Sequence, residues 1–186
     1  MNKYFLTALS VLSLYATCAN AANVYTPYVG IDALYSTLKA THIKPHYFGG
    51  GVHIGTTYNT YFGTEVFYEQ FGQNVKKIDA GQKLKTSYRA YGLDMVGYLP
   101  LIKENKFVLF SSIGAGEYVV RHKTTAEKHK NNTGYAYRFG GGAMFGLSEH
   151  ISVRVLARYA KMHHIDGLNH AWTYGIGLRY NFAKEQ

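Results

Sequence analysis

The clearest pattern along the chain is alternation of period two, and it is strictest near the end. From Trp172 to Phe182 every second residue (Trp172, Tyr174, Ile176, Leu178, Tyr180, Phe182) is large and apolar, while Thr173, Gly175, Gly177, Arg179 and Asn181 between them are small or polar. Successive strand residues point to opposite faces, so this predicts a strand with one apolar face. Aromatics bracket that face about ten residues apart, the length of a strand that crosses an outer membrane between two aromatic girdles. A soluble edge strand shares the local pattern, so the other segments must decide.

The same spacing recurs upstream. A strand over about 25–37 has Tyr25, Pro27, Val29, Ile31, Ala33 and Tyr35 on one face, and one over about 47–58 has Phe48, Val52, Ile54 and Tyr58 against Gly49, Gly51, His53 and Gly55. Asn59-Thr60 reads as a tight turn into a third strand, about 61–71, with Val66 and Tyr68 opposed to Glu65 and Glu69. A fourth, about 86–99, is phased by Asp94, which belongs inside because a charge on the lipid face near the bilayer middle costs a few kcal/mol. Pro100 is expected to close it. Strands five to seven follow over about 107–120, 137–147 and 151–159. In the fifth, Glu117 falls on the apolar side with Leu109, Ile113 and Val119, which suggests an interfacial position or a bulge.

Eight strands result. Their connections alternate between short (59–60, 101–106, 148–150) and longer (37–46, 72–85, 121–134, 161–170), as in a barrel with short periplasmic turns and longer external loops. The predicted fold is all-β: an eight-stranded antiparallel transmembrane up-and-down β-barrel. Composition agrees, with 18 Tyr, 10 Phe and 20 Gly against 3 Pro. A lipocalin-like barrel, apolar inside and polar outside, is the soluble alternative. Aromatics at both strand ends and a Gly-rich minor face carrying isolated charges favour the membrane.

The N-terminus points the same way. Met1-Asn2-Lys3, an apolar run to Tyr15 and Ala19-Asn20-Ala21 form a secretory signal peptide over 1–21, leaving 22–186 as one barrel domain. Cys18 permits a lipoprotein reading, but Tyr15-Ala16-Thr17 before it lacks the usual small-residue pattern. Simple cleavage removes the single cysteine, and no disulfide or thiol chemistry is expected.

With these elements in place the chain resembles the small outer-membrane barrels of the outer-membrane protein A transmembrane domain, protein X and opacity-protein kind. The resemblance is carried by Gly63-Thr-Glu65-Val-Phe-Tyr68, Gly97-Tyr-Leu-Pro100, Gly140-Gly-Gly-Ala-Met-Phe-Gly146 with Ile151-Ser-Val-Arg154, and Gly177-Leu-Arg-Tyr180-Asn-Phe182. It implies that Gly177, Tyr180 and Phe182 belong to an assembly signal read by the barrel-insertion machinery. It also implies a lumenal ion pair between Glu65 and Arg154, and adhesion as one use of the fold. The chain departs from many relatives in carrying Ala183-Lys-Glu-Gln186 after the terminal aromatic.

Inside such a barrel Asp32, Glu65, Glu69 and Asp94 are expected to face Arg138, Arg154, Arg158 and Arg179, since isolated charges in a narrow lumen need partners. This network reads as a structural plug or as the gate of a small porin-like channel. Charge elsewhere is uneven. The four longer connections hold eleven Lys or Arg against three acids, an excess of eight, whereas the rest of the mature chain is balanced. The basic loop surface (Lys76, Lys77, Lys83, Lys85, Arg121, Lys123, Lys128, Lys130) could collect lipopolysaccharide phosphates, host glycans or other polyanions, or lie against the headgroups of its own membrane.

Seven of the nine His lie in those connections; His163-His164 could hold a metal, but without Cys or carboxylate partners solvation is the expected role. His150-Ile-Ser152 mimics a lipid A deacylase motif at a periplasmic turn, with no acid in the next dozen residues to orient the His. The expectation is therefore a non-enzymatic monomer in the outer membrane, with no cofactor, no metal and no nucleic-acid partner. Its role is structural or surface-interacting.

Overall fold

Alternation of this kind leaves each strand with two unlike faces and two rows of backbone hydrogen-bonding groups, and closing the sheet satisfies both. The computed structural model describes residues 25–40, 46–77, 83–102, 106–124, 130–165 and 168–182. They form β1 (Thr26–Ala40), β2 (His46–Asn59), β3 (Phe62–Lys77), β4 (Lys83–Ile102), β5 (Phe107–Thr124), β6 (Lys130–Gly146), β7 (Ile151–His163) and β8 (Leu168–Asn181). Each strand pairs antiparallel with the next, and β8 pairs with β1 from Tyr28↔Asn181 to Ala40↔Leu168, so the barrel is closed. Closure removes every edge within the membrane, where an unpaired backbone group has no water to turn to.

The phases agree with the alternation except near the top of β5, where Val119, expected outward, is only 4% exposed and Tyr118 and Val120 beside it are buried as well. Phe48 is 76% exposed and Ile31, Ile54, Leu93, Ile113, Phe139 and Ile176 also face outward, while Asp94, Arg138 and Arg179 are at most 2% exposed inside. An apolar wall around a charged interior is the reverse of a soluble barrel, which disposes of the lipocalin-like alternative.

Three expectations need correction. Pro100 does not end β4: it pairs with Val108, and the register shifts between Pro100 and Ile102, where an irregular ladder tolerates the missing N–H. Glu117 sits at no bulge. It faces outward in regular register between Tyr91 and Tyr135, aromatics that mark the interfacial position expected as the alternative. Most of the expected loops are strand: Lys76, Lys77, Lys83, Lys85, Arg121, Lys123 and Lys130 lie on β3 to β6, and only Lys128 falls outside the described residues. Above the bilayer the outward positions turn polar, so a search for apolar alternation stops where lipid stops although the hydrogen-bonded ladder goes on.

The wall is consequently uneven. The β2–β3 ladder stops at Gly49↔Phe71 and the β6–β7 ladder at Tyr135↔His163, but β3–β4 continues to Lys77↔Lys83 and β5–β6 to His122↔Lys130. Four strands, β3 to β6, therefore rise above the other four on the side of the longer connections. At the opposite end the turns are tight. The Asn59 Oδ1 accepts from the Tyr61 amide at 2.8 Å, and the Ser148 Oγ accepts from the Ile151 amide at 3.1 Å. The signal-peptide expectation for 1–21 lies outside the described residues.

Candidate functional sites in the lumen and at the rim

The inward positions of β1, β2, β3 and β7 bring Asp32, His53, Glu65 and Arg154 together in the middle of the barrel. Arg154 donates from Nε to Asp32 Oδ1 at 2.8 Å and from Nη2 to Asp32 Oδ2 at 2.6 Å, while its Nη1 reaches Glu65 Oε2 at 2.9 Å. His53, 1% exposed, places Nδ1 at 2.9 Å from Arg154 Nη2 and 3.1 Å from Asp32 Oδ2. One guanidinium thus holds two carboxylates from two different strands. Such charge-assisted, partly bidentate geometry is the strong form of the hydrogen bond.

A second group lies beside the first. Arg138 donates to Asp94 Oδ2 at 2.9 Å and to Glu69 Oε1 at 3.2 Å, and Arg158 donates to Glu69 as well. The Arg138 guanidinium also lies over the Phe67 ring, 3.3 Å from its centroid, a cation–π contact in a dry site. Arg179 is held differently, by Asn181 Oδ1 at 2.7 Å, by the Tyr98 hydroxyl at 3.2 Å and over the Tyr28 ring at 3.7 Å. Glycines on the inward faces make the room: a Cβ on Gly177 would collide with the Asp32 carboxylate, and one on Gly114 with that of Asp94. Gly177 therefore has a packing role besides the one the assembly motif implies.

The eight lumenal charges expected from the sequence all lie inside. His53, Tyr28 and Tyr98, which join them, were missed. Tyr28 donates to Glu65 at 3.3 Å and meets the Tyr98 hydroxyl at 3.1 Å. Their signal was present, since His53 occupies the inward phase of β2 among glycines.

Apolar layers flank the charges. On the outer side Leu34, Phe67, Phe71, Tyr88, Tyr118, Leu156, Met162 and Ile165 pack together; on the periplasmic side Val96, Tyr98, Val108 and Met144 do. Ile165 reaches the lumen from the β7–β8 turn, where His164 adopts the left-handed conformation (φ 61°). Between the layers, Glu65, Ser112, Arg154, Arg158 and Arg179 line part of a cavity of about 10 Å³, the size of one water molecule.

At the rim the register sets basic positions opposite one another, Lys77↔Lys83, Lys85↔Lys123 and His122↔Lys130. Arg121, also on the raised side, pairs with Ser87 and Asn131; on the low side Lys161 of β7 and Lys39 of β1 both pair with His170 of β8. Partial desolvation, with Lys39 and Lys161 on either side, holds the His170 imidazole below the usual histidine range. His163 turns outward against Tyr137, ring centroids 5.7 Å apart, and among the described residues no three His, Cys, Asp or Glu gather as a metal site. His150 is tied to the Asn181 carbonyl through Nδ1 at 3.1 Å and stacks on Tyr180.

Known structures share this architecture. Neisserial surface protein A superposes with a TM-score of 0.72 at 12% identity, over 84% of this chain and 97% of that one. The attachment invasion locus protein Ail of Yersinia pestis, in complex with the heparin analogue sucrose octasulfate, gives 0.63 at 16% identity, over 85% and 99%. OprG of Pseudomonas aeruginosa gives 0.54 at 16% identity, over 84% and 96%. A search of the curated proteins finds no sequence match. The family model described as outer membrane protein beta-barrel domain matches residues 5–182. With the closed eight-stranded wall and its lipid-facing apolar surface, that match places the chain in the outer membrane as a member of the outer membrane β-barrel family.

Proposed function

We propose that this barrel is a non-enzymatic surface-recognition protein whose raised β3–β6 rim binds polyanions, such as sulfated glycans or the phosphorylated sugars of lipopolysaccharide. The observation that carries this reading is the register of Lys77 with Lys83 and of Lys85 with Lys123. Like charges directly opposite on neighbouring strands are unfavourable, and a bound polyanion relieves the repulsion. That Ail is known in complex with a sulfated ligand supports the same use of a similar fold.

The rival reading as a small gated pore is weakened by the lumen, where guanidinium–carboxylate clusters lie between apolar layers. Catalysis at His150-Ile-Ser152 is disfavoured because His150 engages a backbone carbonyl and a tyrosine ring. The test is binding of the refolded protein to immobilised heparin and to lipopolysaccharide. Binding that weakens with salt, and on changing Lys76, Lys77, Lys123 and Lys128 to Gln, is expected. Absent or salt-insensitive binding overturns the proposal.

A further inference from the structure

A second basic feature lies on the opposite, low side of the wall and faces outward rather than up. Direct register runs Tyr137↔Lys161 between β6 and β7, Lys161↔His170 between β7 and β8, and His170↔Lys39 between β8 and β1. Lys39 and Lys161 are exposed and His170 is half-buried, all on the outward phase of their strands. Cross-strand neighbours stand about 5 Å apart, so two lysine positions flank one histidine position within about 10 Å along the wall.

Depth fixes what such a row meets. Tyr159 and Trp172, a directly opposed pair, lie one outward position nearer the membrane, ring centroids 5.2 Å apart, and Tyr159 also supports His170 at 5.3 Å. Trp172 continues to Tyr174 at 6.4 Å. Those rings are the outer aromatic girdle, which sits at the headgroup level. A cationic row immediately above it on the lipid-facing wall lies beside lipid headgroups, not in the path of a soluble polymer.

We propose that Lys161, His170 and Lys39 form a binding site for a phosphate monoester carried on an outer-leaflet glycolipid headgroup, the phosphate seated over His170 between the two lysines. The site is independent of the β3–β6 rim. Facing His170 are Lys161, Tyr159 and His163 from β7 and Lys39 from β1, with His46 one strand further, on β2; among the described residues no carboxylate faces it, and Asp166 lies outside them. The sign of the pH dependence follows. The lysines disfavour a third positive charge at His170, whereas a bound dianion favours it, so binding strengthens as pH falls from about 7.5 to about 6.5; below that the second ionisation of the phosphate monoester itself, at about pH 6, removes ligand charge and reverses the trend.

The protein supplies its own reporter, because Trp172 is the single tryptophan. The full chain, refolded in phosphatidylcholine nanodiscs, is titrated with diphosphorylated lipid A while Trp172 emission is followed. A saturable change is expected that strengthens from about pH 7.5 to about pH 6.5. At about 1 kcal/mol per basic residue near a charged membrane surface, K39Q/K161Q should weaken it about 20- to 30-fold. H170Q should flatten the pH dependence, and K76Q/K77Q on the far rim should change nothing. Unaltered half-saturation in K39Q/K161Q, or an equal response to dephosphorylated lipid A, overturns the site. Full displacement by glucose 1-phosphate would assign it to a soluble phosphate and refute the lipid reading.

Discussion

Replacing Arg154 with Met removes the one cation that holds Asp32 and Glu65 together and keeps the volume of the side chain. Four contacts at 2.6–2.9 Å disappear: two to Asp32, one to Glu65 and one to His53. What is left behind dominates the cost. Two carboxylates with side chains 6% and 4% exposed lose their counter-ion, and breaking a buried pair from one side costs about 3–5 kcal/mol. The lower end applies here, because Tyr28 still donates to Glu65 and His53 still faces Asp32. Glu65→Gln should cost less, since Arg154 keeps Asp32, and should destabilise the barrel more than it changes conductance. Removing all three charges, in D32N/E65Q/R154M, should recover most of the loss, because no unpaired charge stays buried. Urea-dependent folding into phospholipid vesicles, read by the heat-modifiable gel shift and by Trp172 fluorescence, measures each stability, and single-channel recording measures conductance. A Met variant within about 1 kcal/mol of the parent, or a triple variant no better than R154M, would refute the plug. So would a large, selective conductance in a fully stable E65Q.

Two further outcomes are expected. Gly177→Ala and Gly114→Ala each drive a methyl group against a lumenal carboxylate, Asp32 or Asp94, and overpacking of this kind costs about 1–3 kcal/mol in the same unfolding assay. Phe182→Ala removes the last outward aromatic, which packs edge-on against Tyr180 at 5.3 Å; it should slow insertion catalysed by the reconstituted assembly machinery while leaving spontaneous folding into thin bilayers close to normal.

The wall was legible because its cause is local. Lipid on one side and a narrow lumen on the other impose period two on every strand, and residues such as Asp94 and Ile176 declare their faces individually. Partners inside the lumen are set by closure and stagger, which no local pattern records. Arg154 of β7 meets Asp32 two strands away, across β8, and Glu65 on β3, a choice that depends on how far the ladders slide as the sheet closes. The upper halves of β3 to β6 were hidden for a different reason: beyond the bilayer their outward positions are polar, so only the ladder reveals them. The inward aromatics Phe71, Tyr88 and Tyr118 carried no signal at all, since an aromatic on the minor phase looks like noise in an apolar-outward pattern.

Those aromatics bear on where function resides. Phe71 and Tyr88 stack at 4.2 Å and Tyr88 approaches Tyr118 at 6.4 Å, above the level at which Arg138 and Arg158 hold Glu69. An ion crossing the lumen would have to break two guanidinium–carboxylate clusters and also shed its water among stacked rings, and neither cost helps with the other. A gate built for opening needs a low-energy alternative for its charges. Here each guanidinium is already shared between two carboxylates, Arg138 by Asp94 and Glu69 and Arg154 by Asp32 and Glu65, so moving either breaks two ion pairs at once, with apolar layers above and below. The charges rigidify the wall, and a rigid wall keeps the basic rim and the Lys161–His170–Lys39 row at fixed spacing. On the proposed reading, recognition at the surface depends on the lumen indirectly: a variant that loosens the plug should weaken anion binding without touching a single basic residue.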